Sequence, residues 1–386
     1  MNHRRDYRGF AQSVLGALQE EDLTRREFLK ITTGTVLGAA VGSLALGTTG
    51  CSLEDKKPTV GQNYVVSIAR INDGDIGYAV EEAIDLLGGI NNVTVGKERI
   101  MLKPNLVAED PASTTKPEVI RALARLMNNS GKDVLIGEGS ASGDGFNRKE
   151  GVDYRTTDRE ILDGMQQFVF DQLGYSELAG SLGIPLINLH TGEMVDVSVP
   201  GGFAFDQIRL HHTLQDIDLL CSVPMMKTHI LATVTLGMKN LMGLYPGTAY
   251  CSVRSCVHDQ AANAGSPGVA YETLDMVRAN KVGLVVVDGS MAMEGDGPGG
   301  GPLVPMDIII AGTNALATDM VAANVMGFDI DEVPAIDLAI EIGLGPGSLN
   351  DIEVRGTGIE NVRRDFLKPN IVAWNSIRDS WGNQVL

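Results

Sequence analysis

Short apolar runs alternate with segments of helical spacing along the first part of the chain. The run Tyr64–Arg70 predicts a strand, and apolar residues three and four positions apart over 75–87 predict a helix. A second strand at 99–103, a helix at 116–130 and a third strand at 133–136 repeat this order. Such repeats are typical of parallel strands joined by helical crossovers. We therefore predict an α/β fold with a mixed, largely parallel sheet flanked by helices.

Later apolar runs predict that the sheet continues. The run that ends at Pro224 and the β-branched run 282–287 are predicted to be buried strands, and 306–311 is predicted to be another. In open parallel sheets ligands bind outside the carboxyl ends of the strands. Polar residues that follow these runs are therefore the first candidates for a functional site.

The N-terminal residues have the pattern of a targeting segment. Arg25 and Arg26 precede an uncharged stretch over 31–50 that is rich in Gly, Ala, Thr and Leu. Twin arginines before a mildly apolar stretch indicate export through the twin-arginine translocase. Cys51 lies in a partial match to a lipoprotein processing site, so a lipid on Cys51 is an alternative to a free exported protein. We expect the protein in the periplasm or at the outer face of the membrane.

The chain is expected to divide into a signal, a tether, a folded domain and a tail. The polar residues before Tyr64 have the composition of a tether. The domain is expected to be one large unit or two closely packed α/β lobes, and the tail is expected to pack on it. The predicted parts are the export signal 1–51, the tether 52–62, the domain 63–352 with alternative lobes 63–200 and 201–352, and the C-terminal tail 353–386.

Charge restricts the classes of partner. The 386 residues carry a formal net charge of −18, and 44% of them are hydrophobic, as in a soluble globular protein. Because residues 1–51 hold six Lys or Arg and five Asp or Glu, the remaining residues carry −19. Such a surface repels nucleic acid and anionic lipid, so we expect no nucleic-acid partner. We expect contact with the membrane only through the signal or a lipid. An anionic ligand would require a local basic pocket.

Residues 221–247 contain the polar side chains that could form this pocket. Lys227, His229, Lys239 and Asn240 alternate there with apolar residues and glycines. Burying such groups without partners is costly, which favours a shared ligand that carries negative charge. We expect Lys227 and Lys239 to neutralise a carboxylate or phosphate, His229 to act as a general acid or base, and Asn240 to orient the ligand.

Other polar residues follow the remaining predicted strands and are expected to meet the same pocket. Asp288 and Glu294 could hold a divalent cation or form a second acid–base pair. Five glycines among the seven residues of 295–301 could form an anion-binding loop without the spacing of a nucleotide-binding motif. The additional expected ligand-binding residues are Lys103, Asn105, Glu138, Gly295, Gly297, Gly299, Gly300 and Asp319.

The cysteines leave the question of a cofactor open. Cys251 and Cys256 lie close to His258, and these three residues could bind a metal ion, although their spacing matches no zinc pattern. A disulfide is the alternative for the two cysteines in an exported protein. The chain has no ferredoxin-type cysteine run, so an iron–sulfur cluster held by this chain alone is not predicted.

Several blocks of sequence resemble the domain of unknown function 362 family. These blocks are KPNLV at 103–107, PMMKTH at 224–229, TLGMKNLMGLYPG at 235–247, MEGDGPGGGP at 293–302 and GTNALATDMVAANVMG at 312–327. The resemblance covers residues 65–328. Many members carry a ferredoxin-like cysteine block and are described as iron–sulfur centre proteins, but this chain lacks the block. The resemblance matches His258 to a family histidine, and Arg254 is the basic residue nearest to a family lysine that is missing here.

Three functional hypotheses follow. The first is an exported enzyme that acts on an anionic small molecule by proton transfer, isomerisation or reduction. The second is an exported binding protein that captures the same kind of molecule without chemistry. The third is an accessory protein that carries a redox or metal centre. A pairing of His229 with a carboxylate in a closed pocket would favour the enzyme.

Overall fold

An eleven-stranded mixed sheet runs through the part of the chain that the computed structural model describes, residues 64–378. The predicted export signal, the tether and the last residues of the tail lie outside these described residues. The strands are β1 (Tyr64–Arg70), β2 (Arg99–Pro104), β3 (Asp133–Glu138), β4 (Arg148–Lys149), β5 (Val152–Asp153), β6 (Leu186–Asn188), β7 (Met194–Ser198), β8 (Gln207–His211), β9 (Leu219–Val223), β10 (Met225–His229), β11 (Thr233–Thr235), β12 (Val282–Met293), β13 (Leu303–Val304), β14 (Ile308–Gly312) and β15 (Ile352–Gly356).

Helices connect these strands and cover the sheet. The α-helices are α1 (Ile76–Leu86), α2 (Ile90–Val93), α3 (Pro117–Asn129), α4 (Arg159–Gln172), α5 (Tyr175–Leu182), α6 (Thr213–Asp216), α7 (Gly237–Asn240), α8 (Gly247–Tyr250), α9 (Ser255–Asn263), α10 (Ala270–Ala279), α11 (Ala315–Val325), α12 (Pro334–Glu341) and α13 (Trp374–Ile377). Short 3-10 helices lie at Pro111–Ser113, Leu241–Leu244, Ser252–Arg254, Ile330–Glu332, Leu349–Asp351 and Ile359–Asn361.

The main sheet has the strand order β15-β1-β14-β12-β9-β2-β3-β6. Neighbouring strands from β12 through β9, β2 and β3 to β6 are parallel, whereas β14 is antiparallel to both β1 and β12. The predicted α/β fold with a mixed, largely parallel sheet is therefore confirmed. Because β2 pairs with β9, the ranges 63–200 and 201–352 share this one sheet.

Both faces of the sheet are buried. Along β14, Ile309 and Ala311 join an apolar cluster with α1 and α3, whereas Ile308 and Ile310 join a second cluster with α11 and α12. This alternation follows from the two-residue period of a strand, and it explains why the central runs are apolar at every position. In residues 64–378 no helix combines the length and the apolar character needed to cross a membrane.

The carboxyl ends of the central strands bring the polar residues together. Lys103 lies at the end of β2 and Glu138 ends β3. Pro224 does not stop the sheet there, because the chain passes from β9 into β10, which pairs in parallel with β12 and antiparallel with β11. His229 ends β10 at the same region.

Candidate active site

A cavity of about 550 Å³ lies at these strand ends. It brings together side chains and backbone from segments that are distant in sequence. The predicted site residues that line it are Lys103, Asn105, Glu138, His229, Lys239, Asn240, Gly297, Gly299 and Gly300, together with His258. Most of the residues that were expected to meet in one place therefore line this cavity.

A buried ion pair forms the floor of this cavity. The Lys103 ammonium donates to both Glu138 carboxylate oxygens at 2.8 and 2.9 Å, to the Pro104 carbonyl at 2.8 Å and to Asn240 Oδ1 at 3.2 Å. Glu138 also accepts the Leu106 and Gly139 backbone N–H groups. Burial lowers the pKa of Lys103, and the Glu138 carboxylate opposes that shift. The ion pair is stable because its remaining hydrogen-bonding positions are filled.

Two glycines allow the backbone to approach the site closely. A Cβ at position 243 would collide with Glu138 Oε1 and would lie 2.6 Å from Lys103 Nζ, so only glycine fits above the ion pair. A Cβ at Gly297 would collide with the Thr228 carbonyl oxygen, where the glycine loop packs on β10. By contrast, a Cβ at Gly299 or Gly300 would meet no atom within 4 Å, and within residues 64–378 the amide groups of these two glycines donate no hydrogen bond.

The two lysines of the 221–247 segment have different environments. The fully buried Lys227 ammonium donates to the Ser113 carbonyl at 2.6 Å and to the Pro298 carbonyl at 3.2 Å, behind the cavity wall. Burial, and then repulsion from Lys239, lowers the pKa of Lys227 to about 7. Lys227 thus holds the glycine loop in place and does not face the cavity, contrary to the expectation from the sequence.

Lys239 is the cation that lines the cavity without a fixed partner. Its ammonium makes no hydrogen bond or ion pair within residues 64–378, and the side chain is partly exposed. Burial lowers its pKa to about 8, Glu272 opposes this shift, and the nearby Arg254 adds to it. An incompletely solvated ammonium is a strong binding group for a carboxylate or phosphate.

His229 has only one ring nitrogen available for a ligand. The Leu231 backbone N–H donates to His229 Nδ1 at 3.0 Å, so the neutral ring carries its proton on Nε2. Burial, and then Lys239 and Lys227, hold the pKa of His229 well below its usual range. His229 is therefore a neutral hydrogen-bond donor towards the cavity. Because the backbone occupies the basic nitrogen, this geometry does not fit the expected role of a general base, whereas the role of a general acid stays a prediction.

His258 has the opposite orientation. Its Nδ1 lies 2.9 Å from Glu272 Oε1, and Glu272 Oε2 accepts the Ser266 hydroxyl. A carboxylate partner fixes the proton on Nδ1 and leaves the Nε2 lone pair for the cavity. Burial lowers the pKa of His258, although the bond to Glu272 opposes this shift, so the ring is neutral near pH 7.

A turn closed by a disulfide carries Arg254, another cationic residue that lines the cavity. Cys251 and Cys256 are joined by this disulfide, and Cys251, Val253 and Arg254 have φ angles of 59°, 60° and 62°. Left-handed conformations at non-glycine residues cost free energy and cluster at functional sites. The Arg254 guanidinium donates to the Gly139 carbonyl. Burial lowers the pKa of Arg254 to about 10, which leaves the guanidinium charged near neutral pH.

Three polar atoms of cavity-lining residues are buried and have no hydrogen-bond partner. They are Asn105 Oδ1, Thr235 Oγ1 and Arg254 Nη1. Buried polar atoms are rarely left unpaired in native proteins because each costs about 1–3 kcal/mol. One acceptor, one hydroxyl and one cationic donor are therefore available to a polar ligand in this cavity.

Asp288 and Glu294 do not line the cavity, and their carboxylates accept hydrogen bonds from other parts of the fold. Asp288 accepts the Lys116 backbone N–H at 2.8 Å and the Ser290 hydroxyl, and Glu294 accepts the Leu367 backbone N–H at 3.0 Å. Within the described residues, Asp288 does not pair with Glu294, and Glu294 does not pair with His229, although both pairings were considered from the sequence. Each carboxylate instead accepts a backbone N–H group from a segment distant in sequence, which sequence spacing does not reveal.

Asp319 and Gly295 also have structural partners. Asp319 accepts the Gly237 and Met238 backbone N–H groups at 2.7 and 2.8 Å, and so fixes the short helix α7 that carries Lys239. Burial raises its pKa to about 7, which these two hydrogen bonds oppose. The Gly295 N–H donates to the Leu367 carbonyl and is not free for an anion.

The weak metal candidates do not form a metal site. Cys251 and Cys256 are bonded to each other, and His258 is bonded to Glu272. The remaining described cysteine, Cys221, is fully buried in β9. Among residues 64–378 no group of three or more His, Cys, Asp or Glu side chains is arranged to hold a metal ion. These cysteines therefore do not fit an iron–sulfur cluster.

Sequence reasoning misses several residues of the site. Glu272, Thr235 and Arg254 are not among the predicted site residues, although the family resemblance points to Arg254 as a basic residue. Glu272 lies within helix α10 in a segment without a motif, 14 positions after His258. The sequence signal that could have identified Glu272 is its place among apolar neighbours. Such a place indicates burial, and a buried carboxylate requires a partner.

The fold and cavity define an α/β protein with a polar cavity at the strand ends, and comparison with known sequences identifies its family. The profile of the family described as "Domain of unknown function (DUF362)" matches residues 100–324, which is more than half of the chain. The chain belongs to this family, as its sequence blocks predict.

A curated relative and a solved structure are each similar to part of the chain. Thylakoid-associated protein sll1697 of Synechocystis sp. is 25% identical over 276 residues, which cover 71% of this chain and 77% of the relative. The lactate racemase apoprotein from Thermoanaerobacterium thermosaccharolyticum aligns with a TM-score of 0.40 at 14% identity. That alignment covers 68% of this chain and 57% of the length of the other.

Replacing Lys103 by Met should destabilise the protein strongly. The change leaves the Glu138 carboxylate buried without its cation, which typically costs about 3–5 kcal/mol. Urea denaturation measures this loss. The matched control is Arg209→Met, whose ion pair with Asp196 is exposed and should leave the midpoint nearly unchanged. A Lys103→Met protein that unfolds at the wild-type midpoint would contradict the role assigned to the ion pair.

Proposed function

We propose that this chain is an exported enzyme that transfers a proton to or from an anionic small molecule. The observation that carries the proposal is the Glu272–His258 pair, which leaves a basic nitrogen for a cavity that Lys239 and Arg254 also line. A binding protein needs the two cations but has no need of a histidine aligned by a buried carboxylate.

The two histidines have complementary roles in this proposal. A C–H bond next to the carbonyl or carboxylate group of the ligand breaks, and His258 Nε2 accepts the proton. The electron pair moves onto the ligand oxygen, which becomes an enolate. The Nε2–H of His229 donates to that oxygen, and Lys239 and Arg254 stabilise the negative charge. Return of the proton completes an exchange or an isomerisation, so atoms and electrons balance without an external oxidant.

Export through the twin-arginine pathway is part of the proposal. Arg25 and Arg26 support it, as does the Cys251–Cys256 disulfide, since disulfides persist in oxidising compartments. Cell fractionation of the full chain should recover the protein outside the cytoplasm. Recovery in the cytoplasm with both cysteines reduced would contradict export.

One observation favours the alternative of a binding protein without catalysis. His229 contacts no carboxylate among the described residues, and Glu294 lies outside the cavity, so the acid–base pair expected from the sequence does not form. Under this alternative, His258 would only hydrogen-bond the captured ligand. The two functions therefore differ in whether His258 removes a proton from a bound carboxylate or only forms a hydrogen bond with it.

Binding of a small dianion should weaken as the pH rises. Lys239, with a pKa of about 8, is charged below that pH and neutral above it, so its contribution is present below about 8 and is lost above. Titration calorimetry with oxalate should show a loss of about tenfold or more, since a charged hydrogen bond contributes about 1.5–3 kcal/mol. Lys239→Met should bind weakly at all pH values. An unchanged pH step in that variant would show that Lys239 does not bind the anion.

Replacing His258 by Gln should abolish proton transfer and keep binding. Small 2-hydroxy and 2-keto carboxylates are incubated in D2O. Proton NMR measures exchange of the hydrogen on C2 of the hydroxy acids and of the hydrogens on C3, next to the carbonyl group, of the keto acids. Removing a general base should slow exchange by about 100-fold or more, while oxalate still binds. His212→Gln, on the exposed side chain of a histidine outside the cavity, is the control. Exchange at the wild-type rate in His258→Gln would contradict the role of His258. A wild-type protein that binds oxalate but exchanges none of the panel would favour the binding protein.

A further inference from the structure

The C-terminal segment 366–378, which we call the C-terminal strap, connects three walls of the cavity. Leu367 pairs with the Gly295 N–H and with Glu294, and the Asn370 amides donate to Asp296 in the glycine loop. Further along, the Val372 N–H donates to the carbonyl of Ile230, which directly follows His229. The C-terminal strap lies after the residues that the family profile matches.

The strap ends against the helix that carries His258. Trp374 is 5% exposed, and its ring centroid lies 4.9 Å from that of His258 with an interplanar angle of 55°. The indole Nε1–H donates to Asp259 Oδ1 at 2.8 Å, and Asp259 also pairs with Arg378 of the strap and with Arg155. The indole therefore has both an anchored polar edge and an apolar contact with the imidazole.

Trp374 is held in this position from its other side as well. It packs in a small apolar cluster with Leu231, Ala232 and Val269. Leu231 is the residue whose N–H binds His229 Nδ1, so one cluster supports the neighbourhoods of both cavity histidines. An aromatic residue clamped by packing and a hydrogen bond can fix the orientation of a ring that it contacts.

The groups that surround His258 show why its orientation needs support. Helix α10 supplies Glu272, helix α7 supplies Lys239, the disulfide-closed turn supplies Arg254 and strand β10 supplies His229. Glu272 fixes one nitrogen of the ring through a single hydrogen bond. A single bond permits the imidazole to pivot and to turn its Nε2 away from the cavity. Contact with the Trp374 ring restricts that motion.

We infer that Trp374 is a positioning residue for His258, which keeps the Nδ1–H on Glu272, directs Nε2 to the cavity and excludes water from the ring. This inference rests on the proposed function for its catalytic consequence. The contact, the tautomer and the exclusion of water are properties of the ligand-free protein, so they can be measured without a substrate.

The test follows the His258 imidazole of the full chain by nitrogen NMR through a pH titration. The wild type should show the Nδ1–H tautomer and a pKa below the model-peptide value of about 6.5. In Trp374→Ala the pKa should move up towards that value and the second tautomer should appear, because water reaches the ring. Trp374→Phe retains an aromatic ring and should restore most of the wild-type behaviour.

A second variant addresses loss of folding in Trp374→Ala. Asp259→Ala leaves the indole in its apolar cluster but removes its anchor, so the second His258 tautomer should appear to a smaller extent. A folded Trp374→Ala or Asp259→Ala protein with unchanged His258 tautomer and titration would overturn the inference and leave the proposed function intact. Changed titration together with wild-type exchange in His258→Gln would instead overturn the function alone.

Discussion

Burying the Lys103–Glu138 ion pair constrains the architecture of the site. An ammonium and a carboxylate that are both almost fully buried need every remaining hydrogen-bonding position filled. The structure fills them with the Pro104 carbonyl, the Asn240 amide oxygen and two backbone N–H groups. These partners come from three separate segments, so the ion pair requires β2, β3 and helix α7 to meet. The absence of a side chain at Gly243 then lets the backbone cover the pair.

The side chains that line the cavity beside this ion pair differ in charge and in whether they donate or accept hydrogen bonds. His229 and His258 are both neutral, but their opposite hydrogen bonds make one a donor and the other an acceptor towards the cavity. Lys239 and Arg254 add cationic groups whose charges are only partly compensated. Because His229, His258 and Arg254 are buried, their interactions are stronger than on an exposed surface.

The predicted residues that line the cavity include those whose position follows from the pattern of predicted strands. Lys103, Glu138 and His229 lie at strand ends, so a prediction of the sheet already groups them. Asp288 lies within β12 and Glu294 directly follows it, but they accept the backbone N–H groups of Lys116 and Leu367, which are distant in sequence. Glu272 and Trp374 reach His258 through packing between helices and the tail, and local patterns carry no information about such contacts.

The most direct measurement of the central claim is a crystal structure of the full chain grown with oxalate. We predict oxalate density in the cavity, bonded to Lys239 and Arg254, with His229 Nε2 and His258 Nε2 within hydrogen-bond distance of it. Oxalate bound only outside the cavity, with the cavity residues in contact with water alone, would contradict the assignment of this cavity as an anion site.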